Sequence, residues 1–207
     1  MLKNSRKVSS QKKGRLCTLW DVGTAVRGCQ LLEICYHRQV DAEHQTVKRL
    51  VEPVAITFSD YYFYLVAYMV KEGEQENTWE PLFDYPAIFR LDRIERYQIR
   101  KQHFKIPYQQ RFEDGEFRKR VQFMYLGELM KVRFRYTGPS VEAVLDRLPT
   151  AQVVSQDEEG YLIQAEVYGT GIEMWLLSQG PWVEVLHPES LRKRMKERIT
   201  KMLDLYQ

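Results

Sequence analysis

Residues 58–70 read FSDYYFYLVAYMV, and the division of this run between two faces decides the fold around it. A β-strand sends successive side chains to opposite sides. Tyr61, Phe63, Leu65, Ala67 and Met69 fall in one row, and Tyr62, Tyr64, Val66 and Tyr68 in the other. The first row is almost wholly apolar and suits a core, Phe63 and Leu65 included. The second offers a phenol at nearly every step and suits a wet or semi-enclosed surface. For any single tyrosine, high β propensity is explanation enough. A row of them on one face points to a ligand-binding surface, which needs support from the rest of the chain.

Working outward, "TVKRLVEPVAITFS" (46–59) is a second extended segment in which Pro53 predicts an edge position or a bend, because proline cannot donate to a ladder. Ser59 and Asp60 make a tight-turn pair before the tyrosine strand. Upstream, "LLEICYHR" (31–38) alternates as a strand, with Leu32, Ile34 and Tyr36 on one side. Cys17 to Gln30 reads as a short helix with Leu19 or Trp20, Ala25 and Val26 inward. Downstream, "KEGEQENTWEPLFDYP" (71–86) is acidic and rich in turn formers, long for a hairpin loop. "AIFRLDRIERYQI" (87–99) then resumes strand character. A helix followed by antiparallel strands with tight turns reads as a small β-barrel.

Residues 102–128, polar and basic at their start, read as a connector. Beyond them "MKVRFRYT" alternates as a strand and "PSVEAVLDRL" has a proline start and helical spacing. "AQVVSQ" and "YLIQAEVY" flank the turn "DEEG", "GIEMWLLSQG" is a helix ended by Gly180, and "PWVEVLHP" is a fourth strand. The order β-α-β-β-α-β is that of the ferredoxin-like sandwich. In a last helix, "ESLRKRMKERITKMLDLY", Leu191, Met195, Ile199, Met202 and Tyr206 make one stripe against a basic remainder, to dock on its own domain or on another subunit. The expected organisation is a basic tail (1–16), a barrel (17–101), the connector (102–128) and a ferredoxin-like domain with a C-terminal helix (129–207), of class α+β.

The bulk composition, 44% hydrophobic and 29% charged, excludes wholesale disorder. No apolar run approaches a bilayer span, and the N-terminus lacks the apolar centre of a signal peptide, so no membrane and a cytoplasmic location are expected. Cys17, Cys29 and Cys35 show no Cys-x-x-Cys spacing, and His37, His44, His103 and His187 are scattered, so no metal or other cofactor is expected. With no glycine-rich phosphate loop and no Ser-His-Asp spacing, binding is favoured over catalysis.

"VEPVAITFSDYYFYLVAYMV" followed by "FRLDRI" resembles the WYL domain, named for a Trp-Tyr-Leu triplet that stands here as Phe63-Tyr64-Leu65. "LLEICYHR" with Tyr36 closing the strand, and "RLVEP" with Arg49 four residues before Pro53, match the same pattern. From "KVRFRY" through "GIEMWLLSQGPWVEVLHPESLRKRM" the chain resembles the WCX extension that accompanies WYL domains. The resemblance implies an Sm-like, SH3-type barrel and a ferredoxin-like domain. It also implies a bacterial transcriptional regulator that senses a nucleotide or nucleic-acid fragment on the barrel and forms a homodimer. Members usually carry a helix-turn-helix domain before the barrel, and only a basic tail and a short helix precede the first strand here. A second expectation is therefore an accessory module that regulates a partner protein through dimerisation without reading DNA itself.

A phosphate-bearing ligand needs donors of fixed geometry, which arginine supplies as two parallel N–H groups. The expected ligand-binding set is Tyr64 and Tyr68 as stacking platforms, and Arg49, Arg90 and Arg93 as anion donors, with Tyr36 and His37 beside them. Arg93 is equally well explained by an ion pair with Asp92, whereas for Tyr36, which shares the parity of Leu32 and Ile34, core packing is favoured and a ligand role is secondary.

Overall fold

The hairpin of β2 (Glu43–Ser59) and β3 (Tyr62–Glu72) organises the first sheet. Ser59 pairs with Tyr62, so the loop is Asp60–Tyr61, with both residues at positive φ (45° and 71°). A two-residue type I′ turn requires this, because its twist matches that of the strands. The turn thus falls one residue later than the Ser59–Asp60 pair expected. The computed structural model describes residues 15–40, 43–73, 78–105 and 114–207, with the side chains of residues 15, 16, 38–40, 43–45 and 114 set aside. The basic tail falls outside them up to residue 14.

From the turn, pairing runs Phe58 with Phe63, Thr57 with Tyr64 and Ala55 with Val66, and then Pro53 with Ala67. The step leaves Val54 as an extra residue, a bulge at the point where proline withholds its N–H. Pro53 therefore marks a bend, and the edge alternative fails, since β2 lies between β1 (Gln30–Val40) and β3. The sheet runs β4-β3-β2-β1-β6, with β5 also on β3. β4 (Trp79–Pro81) returns from within the acidic segment to pair with Val70–Glu72. β5 (Ala87–Arg90) and β6 (Ile94–His103) are separated by a 3₁₀ turn at Leu91–Arg93, where an unbroken strand had been expected. All the pairings are antiparallel.

α1 (Arg15–Arg27) lays Val22 and Ala25 against Leu32, Ile34, Val51, Leu65, Ala67 and Phe89. Of the expected alternatives Leu19 or Trp20, Leu19 packs on this core and Trp20 is exposed, with the Arg27 guanidinium 5.6 Å from its ring centre. Phe63 is a second correction: it is 45% exposed and packs on Phe58 (5.1 Å between ring centres). Its parity is that of the core, but the strand has run past the end of the core at that position. Leu65, Val66 and Ala67 are fully buried, so in its middle β3 is covered on both faces.

The chain separates into two compact units between Phe112 and Glu113. The second opens with α2 (Asp114–Arg120), a helix inside the segment read as a connector. There follow β7 (Leu129–Tyr136), α3 (Val141–Arg147), β8 (Gln152–Asp157), β9 (Gly160–Tyr168), α4 (Gly171–Ser178), β10 (Val183–His187) and α5 (Glu189–Asp204). Ser140 caps α3 by accepting from the Ala143 N–H (3.2 Å), and Gly180 (φ +60°) lies just beyond α4. The antiparallel sheet has the order β10-β7-β9-β8. Its core joins Val132, Phe134, Ile163, Ala165 and Val167 to Val144, Leu148, Ile172 and Trp175.

In α4 a fully buried carboxylate, Glu173, accepts from Arg194 Nε (2.7 Å) and lies 3.1 Å from Arg198 Nε, both on α5. α5 buries Leu191 and Met195, whereas Ile199, Met202 and Tyr206 of the same stripe are exposed. Two antiparallel sheets and five helices among the described residues make an α+β protein.

Tyr61 is 92% exposed and held in the left-handed region, which costs a non-glycine residue about 1–2 kcal/mol. Tyr61→Gly removes that strain against a smaller entropic loss, for a net stabilisation of about 0.5–1 kcal/mol. Denaturant unfolding should show a higher midpoint; a lower one would mean that the phenol ring contributes contacts.

Candidate functional site

Cross-strand partners share a face, so the register sorts the expected binding residues. Tyr64 pairs with Thr57 on one side and Arg90 on the other, and Tyr68 pairs with Glu52. Tyr62, Tyr64 and Tyr68 of β3, Arg90 of β5 and Glu52 of β2 therefore stand on the outer face, opposite α1. Between them lie Ile88 and Ala55, partly exposed, and the fully buried Val66.

Arg90 is the most constrained member. Its Nε and Nη2 donate to the two oxygens of Asp92 (3.0 and 2.6 Å), and its guanidinium sits 3.6 Å from the centre of the Tyr62 ring. The 3₁₀ turn bends the backbone so that Asp92, two residues on, faces back to Arg90. The ion pair expected between Asp92 and Arg93 is thus made by Arg90, because the chain does not continue as a strand. Hydrogen bonding to Asp92, the largest influence, holds the Arg90 charge even more firmly than usual. Its own N–H donates to the Tyr36 hydroxyl (3.2 Å), and the Tyr36 ring meets Phe89 edge to face at 5.2 Å. Tyr36 ties β1 to β5 and packs against the core, the alternative the sequence had favoured.

Arg93, at the end of the 3₁₀ turn, makes no ion pair among the described residues, and its charge reaches the Tyr64 phenol. Burial is nevertheless the dominant influence on Tyr64 and raises its pKa, so the phenol remains a hydrogen-bond donor at neutral pH. Tyr64 thus combines a ring, a hydroxyl and a nearby guanidinium that no carboxylate pairs among the described residues.

Two expected residues lie elsewhere. Arg49 pairs with the buried Ile34 and so belongs to the core side of β2, where its Nη1 donates to the Lys48 carbonyl (3.0 Å). It is not brought to the tyrosine face. His37 lies 3.4 Å from Glu95, which also accepts from Thr46 (3.3 Å).

Three participants were absent from the expected set. Tyr62 is fixed by its stack on Arg90 and Asp92 by its grip on that guanidinium. Glu52 is placed by the bulge: counting from the turn without it, Glu52 would face Met69 on the core side, and the extra residue turns it outward beside Tyr68. It has no ion-pair or hydrogen-bond partner among the described residues, and burial alone raises its pKa.

In the second unit a concavity of about 280 Å³ is lined by Arg120, Thr150, Gln152, Gln164 and Glu166. Its guanidinium is already held by Glu116 (2.8 Å) and Glu166 (3.8 Å), leaving little charge for a ligand. No group of His, Cys, Asp and Glu among the described residues is arranged to hold a metal. No helix among them is long and apolar enough to cross a membrane.

Family models match in two places, the WYL domain over residues 18–99 and the WCX domain over residues 127–203. Among solved structures, the chain is similar to the proteasome accessory factor B/C (PafBC) of Arthrobacter aurescens, with 21% identity over 97% of this chain and 28% of that one, at a TM-score of 0.40. It is also similar to a CRISPR Cas-related protein, with 13% identity over 93% of this chain and 52% of that one, at a TM-score of 0.52. The chain therefore spans little more than half the length of the second and less than a third of the first. No curated protein matches it.

A carboxyl group whose pKa is raised in the folded state opposes folding once ionised. As pH rises, the unfolded chain loses this proton first, so the penalty grows between the ordinary glutamate pKa and the raised one and persists above. Glu52→Gln should therefore unfold at a higher temperature than the wild type at pH 7, and the difference should shrink towards pH 4. A lower midpoint at pH 7 would reveal a stabilising partner.

Proposed function

The chain belongs to the WYL-domain family, a WYL domain followed by a WCX domain, and from that premise we propose that it is the effector-sensing part of a transcriptional regulator. On this reading the first unit is an Sm-like, SH3-type barrel and the second a ferredoxin-like domain, whose sheet order β10-β7-β9-β8 supports that assignment. The effector is a nucleotide or a nucleic-acid fragment, the protein acts in the cytoplasm, and it has no catalytic role.

The observation that carries the reading is the assembly of Tyr62, Tyr64 and Arg90 on one face of the sheet, with Arg93, which makes no ion pair among the described residues, beside them. Aromatic rings accept bases by stacking, at about 1–3 kcal/mol per base, and guanidinium groups hold phosphates. Tyr68 extends the platform along the strand. Arg90, pinned by Asp92, keeps Tyr62 in place, and Arg93 is the phosphate donor. Arg49 and Tyr36, on the core side of their strands, and His37, beside Glu95, are not assigned to the ligand.

A second reading, a module that regulates a partner protein through dimerisation, draws on α5. Its last turns expose Ile199, Met202 and Leu203, and Tyr206 just beyond its end is exposed too, in continuation of the face that buries Leu191 and Met195. On either reading this stripe is the homodimer contact.

Titration of fluorescent single-stranded oligonucleotides at low salt should show saturable binding that a Tyr64→Ala/Arg93→Ala double variant weakens by about tenfold or more. Unchanged affinity would sink the site. Light scattering should give twice the chain mass for the wild type, and the mass of one chain for Ile199→Asp/Met202→Asp. A monomeric wild type would remove the dimer from both readings.

A further inference from the structure

Glu52 has no part in holding an anion, yet it stands on the outer face directly across from Tyr68. It is partly buried, and its carboxylate makes no ion pair or hydrogen bond among the described residues. A strand interior does not require such a group: a threonine or a valine there would suit the ladder and avoid the desolvation. The β2 bulge is what aims it outward.

From Arg90, opposite Tyr64, to Glu52, opposite Tyr68, four residues of strand span about 13 Å. Along that strip the chemistry changes in order. Arg93 gives one end a cation that no carboxylate pairs among the described residues, Arg90 being held by Asp92; Tyr62 and Tyr64 follow, then the partly exposed Ile88 and Ala55 beside the fully buried Val66, and Tyr68 with Glu52 closes the other end. A nucleotide has the same polarity, with its phosphate at one end and the hydrogen-bonding edge of its base at the other.

A carboxylate accepts two parallel hydrogen bonds and donates none. Guanine alone among the common bases presents two adjacent N–H donors, the ring N1–H and the exocyclic amine, on its Watson–Crick edge. Adenine and cytosine set one amine beside a bare ring nitrogen, whose lone pair would face the carboxylate. Uracil and thymine flank a single N–H with carbonyl oxygens. Resting on the reading of this face as a nucleotide site, we propose that Glu52 is its specificity-determining residue and that the bound base is guanine, phosphate towards Arg93 and Watson–Crick edge towards Glu52.

The test is equilibrium titration of the full chain with GMP, AMP, CMP and UMP, and with four-residue single strands of each base. The wild type should favour guanine about tenfold or more, since a bidentate pair discriminates by roughly 1–3 kcal/mol. Glu52→Gln should bind all four bases and lose the guanine preference, while its unfolding midpoint at pH 7 is no lower than that of the wild type. GMP binding as tight as the guanine strand identifies a free nucleotide as ligand; a much tighter strand identifies a nucleic-acid fragment. Equal affinity for the four bases, or a guanine preference that survives Glu52→Gln, overturns the assignment. If those four ligands bind equally and Tyr64→Ala/Arg93→Ala abolishes binding, only the guanine inference falls. If no ligand binds, the nucleotide reading of the face falls with it.

Discussion

The pairing of Tyr64 with Thr57 on one edge and Arg90 on the other fixes the face on which β3 displays its hydroxyls. A slip of one residue would send the tyrosines into the core and Leu65 and Ala67 into water. Three devices hold the register. The Asp60–Tyr61 turn sets the start, the fully buried Leu65–Ala67 segment penalises any shift, and β4 and β5 occupy the edge that β2 leaves free. Everything ascribed to the outer face inherits its position from that register.

Within the face, constraint and freedom are unevenly divided. Arg90 is held by Asp92, by Tyr62 and, through its backbone, by Tyr36. Arg93 and Glu52 are not held by any charge partner among the described residues, and they flank the aromatic row. A site needs both kinds of group: fixed ones to orient the rings, and unsatisfied ones to give a ligand something to bind.

Much of this was legible in the sequence where periodicity carries the information. The two rows of β3, the strand of Leu32 and Ile34, and the β-α-β-β-α-β order of the second unit follow from alternation and turn residues. What failed did so for local reasons. Parity put Phe63 in the core but cannot tell where a core ends. Alternation across "FRLDRI" concealed a 3₁₀ turn, and with it the exchange of Asp92 from Arg93 to Arg90. Glu52 looked like any charged strand residue. Its place beside Tyr68 depends on a single bulged residue, Val54, which Pro53 hinted at as a bend without saying which side chains would change face.

The grip of Arg194 and Arg198 on Glu173 has a geometric consequence for the end of the chain. The two arginines are one turn apart on α5 and close on the same carboxylate, which is itself immovable inside the domain. Two such points fix the rotation of a helix about its own axis as well as its location. α5 is therefore keyed like a shaft in a slot. The compass heading of Ile199, Met202 and Tyr206, which lie beyond the domain's own packing, is set by a single acidic side chain they never touch.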